Sequence, residues 1–271
     1  PRLGTRMQLL TEEDVEFFRV TGYVVQRAAV EAELITRCRE QVWDNLPEFP
    51  DRPDEWADGR HFSSYTNKDP WAQSGPMQEL AEHESLAGVA RQLLGRNIKP
   101  PHAGSILLRF PSKDTAYQPP TVGHLDNTCG HSFNTITLLD TVLPRGGGFT
   151  VWPGSHMMCH EYFQHHDVRA KLEGGMLPWS YGTGIEFTGE PGDVVHIHPW
   201  MIHTVGHNVN DTLRMVAQNG YFRQTLKQDF DSIPEDLWWF WDGVKEMEAA
   251  MRAAGRTWQV EPGTDAGTPS T

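Results

Sequence analysis

Apolar positions recur at helical spacing in the first hundred residues, then fall into short alternating runs from about residue 100 to 222. Thr11-Glu12-Glu13-Asp14 reads as an N-cap leading into a short amphipathic helix. Val15, Phe17, Phe18 and Val20 are its apolar residues, and Gly22 ends it before a strand at Tyr23-Val24-Val25. From Val30 to Trp43 the period returns, with Leu34, Ile35, Cys38 and Val42 on one stripe. Between Pro47 and Pro76 no period persists, and Pro, Asp, Gly and aromatic residues dominate. A connection this long is uncommon unless it is functional or disordered. Its Trp56, Phe62, Tyr65 and Trp71 favour an ordered lid. Helical spacing resumes from Leu80 to Leu94 and stops at Gly95.

The strand runs are Ser105–Phe110, Thr135–Leu139, Gly148–Trp152, Asp193–His198 and Leu213–Ala217, the last leading on to Tyr221-Phe222. Pro and Gly punctuate them, which predicts a β-sandwich or jelly roll. Asp236 to Ala254 reads as a closing helix carrying Leu237, Phe240, Val244 and Met247, and the last ten residues as a disordered tail. There is no internal repeat.

Composition narrows the class. With 271 residues and 38% hydrophobic content, the chain is expected to form one globular domain with helical additions. No apolar run reaches the length of a membrane span, and no secretory signal precedes the first helix. Cys38, Cys129 and Cys159 are odd in number and lack CxxC spacing, so the expected compartment is a reducing cytoplasm. A formal charge of -13 argues against nucleic acid as a partner. The ten Trp residues divide between pocket lining and core, mostly core.

The candidate chemistry lies in His124-Leu125-Asp126 and a histidine far downstream. A histidine and a carboxylate two residues apart share one side of an extended strand. A second imidazole from a distant strand then closes a three-point face, a set that suits ferrous iron and leaves positions open for other ligands. In a chain with 13 His, an H-x-D alone is weak. The downstream segment Gly192-Asp193 to Asn208 offers four histidines, His196, His198, His203 and His207. Spacing alone leaves His203 and His198 both open, with His203 ahead.

Read together, these pieces resemble the phytanoyl-CoA dioxygenase family of iron- and 2-oxoglutarate-dependent oxygenases. His124/Asp126, Pro153-Gly154-Ser155-His156, Gly192-Asp193, His203, Asn208 and Arg214 follow in the family's order and spacing. Leu10 through Tyr23 resembles its opening helix and strand. The resemblance covers most of the chain and is weakest in 45–100 and after 225. It implies a mainly β fold with flanking helices around a double-stranded β-helix core, a cupin-like jelly roll. One oxygenase domain would then span 1–271: a helical part at 1–99 with a lid at about 45–76, a core at 100–225, a helix at 226–258 and a tail at 259–271.

The resemblance also implies the site. His124, Asp126 and His203 would hold Fe(II), and Arg214 would grip the far carboxylate of 2-oxoglutarate with its bidentate fork. The family commonly has a hydroxyl two residues after the distal His, where this chain has Val205. Thr204 is the neighbouring hydroxyl, so Thr204 and Trp152 are the further candidates for the oxo acid. Cys129, His131, His61, Tyr65 and Trp71 are candidates for the substrate side, and Pro153–His156 for a structural turn whose His bonds backbone. Related halogenases lack the carboxylate that Asp126 supplies, so chlorination is disfavoured. The expected reaction is hydroxylation of a small molecule by dioxygen, with 2-oxoglutarate converted to succinate and CO2. The aromatic and acidic stretch from Trp43 to Trp71 suits a polar or cationic substrate. Two rival readings are a cupin-like metalloenzyme using His196, His198 and His203 without an oxo acid, and a non-catalytic jelly-roll binding protein.

Overall fold

The computed structural model describes residues 9–56, 62–112, 116–126, 130–166, 182–224 and 233–258. Helix α1 (Glu12–Thr21) starts on a reciprocal cap: Thr11 Oγ1 accepts from the Asp14 N–H, and the Asp14 carboxylate accepts from the Thr11 N–H. Gly22, at φ 82°, ends it in the left-handed conformation that glycine adopts without steric cost. The chain then enters β1 (Tyr23–Gln26) and α2 (Ala32–Trp43), which buries the expected stripe of Leu34, Ile35, Cys38 and Val42.

The helix read over Leu80–Leu94 is broken. Pro76 opens α3 (Pro76–Glu82), a π-helical turn covers Glu84–Gly88, and α4 is Val89–Leu94. His83 turns extended between them, and its Nδ1 accepts from the Ser85 N–H at 3.2 Å, a side-chain cap that no Gly or Pro announces. The Pro153-Gly154 turn runs into a helix that the periodicity did not predict, α5 (Ser155–His165). The closing helix α6 is Asp242–Ala253, later than read, because residues 236–241 form turns and Asp236 accepts from the Trp238 N–H. The tail at 259–271 lies outside the described residues.

The strands are β2 (Phe62–Tyr65), β3 (Ser105–Arg109), β4 (Ser132–Leu138), β5 (Phe149–Val151), β6 (Ile185–Glu186), β7 (Val194–Ile197), β8 (His203–Val205) and β9 (Arg214–Phe222). They form a six-stranded sheet, β1-β7-β4-β9-β3-β2, and a three-stranded sheet, β6-β5-β8, with every pairing antiparallel. This is the jelly roll of the cupin-like class, with helices covering the large sheet.

Alternation assigns the two faces of the large sheet. Ile136, Leu138, Val195, Ile197 and Val216 point inward, against Phe149 and Val151 of the small sheet. Phe133, Val194, Met215, Ala217 and Tyr221 point outward, against Phe18, Leu34, Leu86 and Trp241 of the helical layer. The segment expected to form a lid instead supplies β2, the edge strand beside β3. Its Trp56 packs edge-on to Phe110 and beside Trp43 on the helical side, so these aromatics support the back of the sheet.

Candidate metal centre

Two backbone hydrogen bonds carry His124 to the edge of the small sheet, 2.9 Å from its N–H to His203 O and 3.1 Å in return. The glycine before it permits this approach: a Cβ on Gly123 would lie 2.6 Å from Trp152 and Ile202 and 3.0 Å from His203 O. Leu125 is buried among Trp152, Cys159, Phe163, Trp200 and Ile202. Holding Leu125 down turns His124 and Asp126 together to the other side, as strand alternation requires.

One ligand atom from each of His124, Asp126 and His203 lies within 4.8 Å of the others, the one such grouping of His, Cys, Asp and Glu among the described residues. Asp126 Oδ1 is 3.4 Å from Nε2 of each imidazole. Nδ1 of His203 lies 2.9 Å from Met201 O, and a carbonyl only accepts. The proton therefore sits on Nδ1 in the neutral ring, and Nε2 presents a lone pair. Burial alone would disfavour protonated His203, but the Asp126 carboxylate and Met201 O outweigh it and raise the pKa. Burial likewise opposes ionised Asp126, yet contacts from His124, His203 and the Gln218 amide hold it well below the usual carboxylate range. Two imidazoles and one carboxylate, ready to ligate on one side only, fit a divalent iron with open positions.

Further into the barrel stands Arg214, the first residue of β9, only 1% exposed. All three guanidinium nitrogens are buried and have no hydrogen-bond partner among the described residues. Burial lowers its pKa to about 9, and Arg109, paired with it in register on β3, pushes the same way. Arg109 itself is tied to the small sheet, donating to Gly206 O and Val205 O. Asn208 organises this end, donating to Arg109 O at 2.9 Å and to Thr212 O at 2.7 Å, so the turn into β9 is fixed. A desolvated cation without an acceptor is costly. An anion between the two arginines would relieve that cost.

The other predicted residues divide. Thr204 pairs with Thr150, and Val205 with the inward-facing Phe149, so Val205 shares the inner face with His203 and Thr204 faces away from it. Thr204 is therefore not placed to bind an oxo acid beside Arg214. Trp152 packs behind Leu125, and its indole N–H donates to Gly182 O. His131 keeps the outward parity of Phe133, and its ring packs edge-on to Phe240, on the helical side and not on the substrate side. Tyr65 and Trp71 pack together against the helical core. In the register of β2 on β3 it is Phe62 and Ser64 that share the inner face, opposite Arg109 and Leu107. Cys129 and His61 lie outside the described residues.

His196 and His198 occupy the outward face of β7 and its continuation, with Nε2 of His196 on Gln26 Oε1 at 2.8 Å and His198 stacked on Trp241. Neither reaches His203, which removes the cupin-like ligand set. His156 is fully buried, and its Nε2 contacts Arg19 O at 3.0 Å, the backbone role expected of that turn. Sequence reading missed Gln218, whose amide donates to Asp126 Oδ2 at 2.7 Å. Counting by twos from Arg214 along one unbroken strand would have put it on the inner face.

Comparisons with known proteins agree with this architecture. The family model described as "Phytanoyl-CoA dioxygenase (PhyH)" matches residues 18–216. A Caenorhabditis elegans protein named "Probable phytanoyl-CoA dioxygenase" is 24% identical over 269 residues, covering 83% of this chain and 84% of that one. Among solved structures, the non-heme alpha ketoglutarate dependent epimerase SnoN from nogalamycin biosynthesis is similar at TM-score 0.57 and 20% identity, over 83% of this chain and 89% of that one. HygX from Streptomyces hygroscopicus, solved with nickel and 2-oxoglutarate bound, is similar at TM-score 0.54 and 17% identity, over 84% and 94%.

Proposed function

The chain belongs to the phytanoyl-CoA dioxygenase family, and on that premise we propose that it is an Fe(II)- and 2-oxoglutarate-dependent dioxygenase that hydroxylates a small molecule. The overall reaction converts substrate, dioxygen and 2-oxoglutarate into hydroxylated product, succinate and CO2. The reading takes 1–271 as one oxygenase domain built on the 100–225 jelly roll. Its metal ligands are His124, Asp126 and His203, and bound iron would supply the activation of dioxygen coupled to oxidation of the oxo acid.

The observation that carries the reading is Arg214. A buried guanidinium with three unpartnered nitrogens, beside a second arginine and inward of the ligand set, matches the far carboxylate of a dicarboxylic oxo acid. HygX with bound 2-oxoglutarate supports the cofactor by likeness of fold. The remaining residues have positioning roles. Met201 O fixes the tautomer of His203, Leu125 and Trp152 hold the ligand loop, and Asn208 with Arg109 locks the strand end from which Arg214 projects. Ionised Asp126 fills the position that a halogenase leaves open for chloride, so oxygen transfer and not halogenation is the expected outcome.

The test is release of CO2 from 2-oxoglutarate labelled at C1, with Fe(II) and oxygen and no added substrate. Slow iron-dependent release from the wild type, absent in Arg214→Met, is expected. Absence of release from iron-loaded wild-type protein, even across a broad set of candidate substrates, contradicts the reading.

A further inference from the structure

We infer that Gln218 is a positioning residue for the metal-binding carboxylate. This rests on the reading of His124, Asp126 and His203 as metal ligands. Gln218 sits on the inner face of β9, four residues beyond Arg214, and its Nε2 donates to Asp126 Oδ2 at 2.7 Å. The other oxygen, Oδ1, is the one that lies 3.4 Å from both imidazole Nε2 atoms. The two oxygens thus have separate tasks: Oδ2 is committed to the large sheet, and Oδ1 faces the imidazole nitrogens.

Three features make this more than a surface contact. Asp126 belongs to a loop at the edge of the small sheet, so the amide bond ties the ligand loop to the opposite wall of the barrel. Gln218 is neutral, so it orients the carboxylate without competing with a metal for its charge. It also shares one rigid strand with Arg214, so β9 sets the separation of the carboxylate ligand and the anion anchor, about 13 Å along four extended residues. Without the amide, Asp126 is free to rotate, and Oδ1 is no longer held facing the two imidazole nitrogens. Outer partners of this kind support both metal affinity and activity.

The experiment is anaerobic titration of Gln218→Met and Gln218→Glu with Fe(II), then with 2-oxoglutarate. Gln218→Met keeps length and removes the donor, while Gln218→Glu keeps shape and replaces the donor with an acceptor. The expected result is iron affinity reduced about 10- to 100-fold, with the visible charge-transfer band of the oxo-acid complex weakened or displaced in protein that still melts cooperatively. Iron binding unchanged or tighter in either folded variant, with the band of the wild type, overturns the inference. If wild-type protein binds iron but gives no band, the oxo-acid reading has failed, and Gln218 is judged on iron affinity alone.

Discussion

Five histidines are buried among the described residues, four on the helical side of the large sheet and one inside the barrel, and the two groups behave in opposite ways. His156, His196 and His198 lie among Phe18, Phe133, Trp238 and Trp241, where burial lowers their pKa values, to about 4 for His156 and about 3 for His196. His203 is as deeply buried, yet its pKa rises because a carboxylate and a carbonyl stand against its two nitrogens. Burial therefore does not single out the histidine proposed as a metal ligand. The partners do: a carbonyl that fixes one nitrogen and a carboxylate that shares the other's space. The same contrast holds for arginine. Arg223 is paired with Asp242 at the surface end of β9, while Arg214 at the inner end has no acceptor among the described residues.

The contrast breaks most severely at the ligands. Asp126→Ala should reduce iron affinity by about 1,000-fold or more and abolish turnover, losing an ionic ligand outright. His196→Gln should leave iron binding intact and only lower the melting temperature. Equal loss of iron in both variants, measured by metal analysis of dialysed protein, would erase the distinction between the two faces.

Next in size is Arg214→Met. Removing the fork should weaken 2-oxoglutarate about 100-fold without changing iron affinity. It should also stabilise the cofactor-free protein by about 1–3 kcal/mol, since an unpaired buried charge is replaced by an apolar chain. Chemical denaturation with and without the oxo acid measures both. A variant less stable than wild type in the absence of ligand would mean that Arg214 has a structural partner.

The pH dependence of stability follows from the helical-side histidines. Unfolded, each titrates near its ordinary value of 6.5, but folded His156 titrates near 4. Between those values the unfolded chain binds more protons, so stability falls as pH drops through that window and is flat above it. His156 alone should cost about 2 kcal/mol between pH 7 and pH 5. His203, raised when folded, acts in the opposite sense, but the lowered groups outweigh it. Urea unfolding should show this slope, and His156→Gln, which keeps a donor for Arg19 O, should flatten it. The smallest effect is expected from Thr204→Val, which should leave 2-oxoglutarate affinity within about twofold because that hydroxyl faces away from Arg214.

Much of this was legible from the chain. The capped first helix, the stripe on α2 and the strand cores announced themselves by period, and His124 and Asp126 by spacing, whereas His203 and Arg214 were singled out by the family resemblance. Gly192-Asp193 was legible as a turn, and its carboxylate accepts from Ala28 N–H and Arg27, joining β1 to β7. What escaped needed information from across the fold. Composition points to Tyr65 and nearness to His124-Leu125-Asp126 points to His131, but the face each occupies depends on a strand partner far away in sequence. Thr204 ran against simple alternation from His203. The break at His83 uses a side-chain cap without a Gly or Pro to mark it, and Gln218 was hidden because β9 was read as two pieces.

The measurement that tests the central claim most directly is anaerobic titration of metal-free wild-type protein with Fe(II), followed by 2-oxoglutarate, in visible light. The account predicts a metal-to-ligand charge-transfer band that saturates with one oxo acid per iron, disappears in His203→Ala and persists in His198→Asn. Bound iron with no band on addition of the oxo acid would contradict it, as would a band that survives loss of His203.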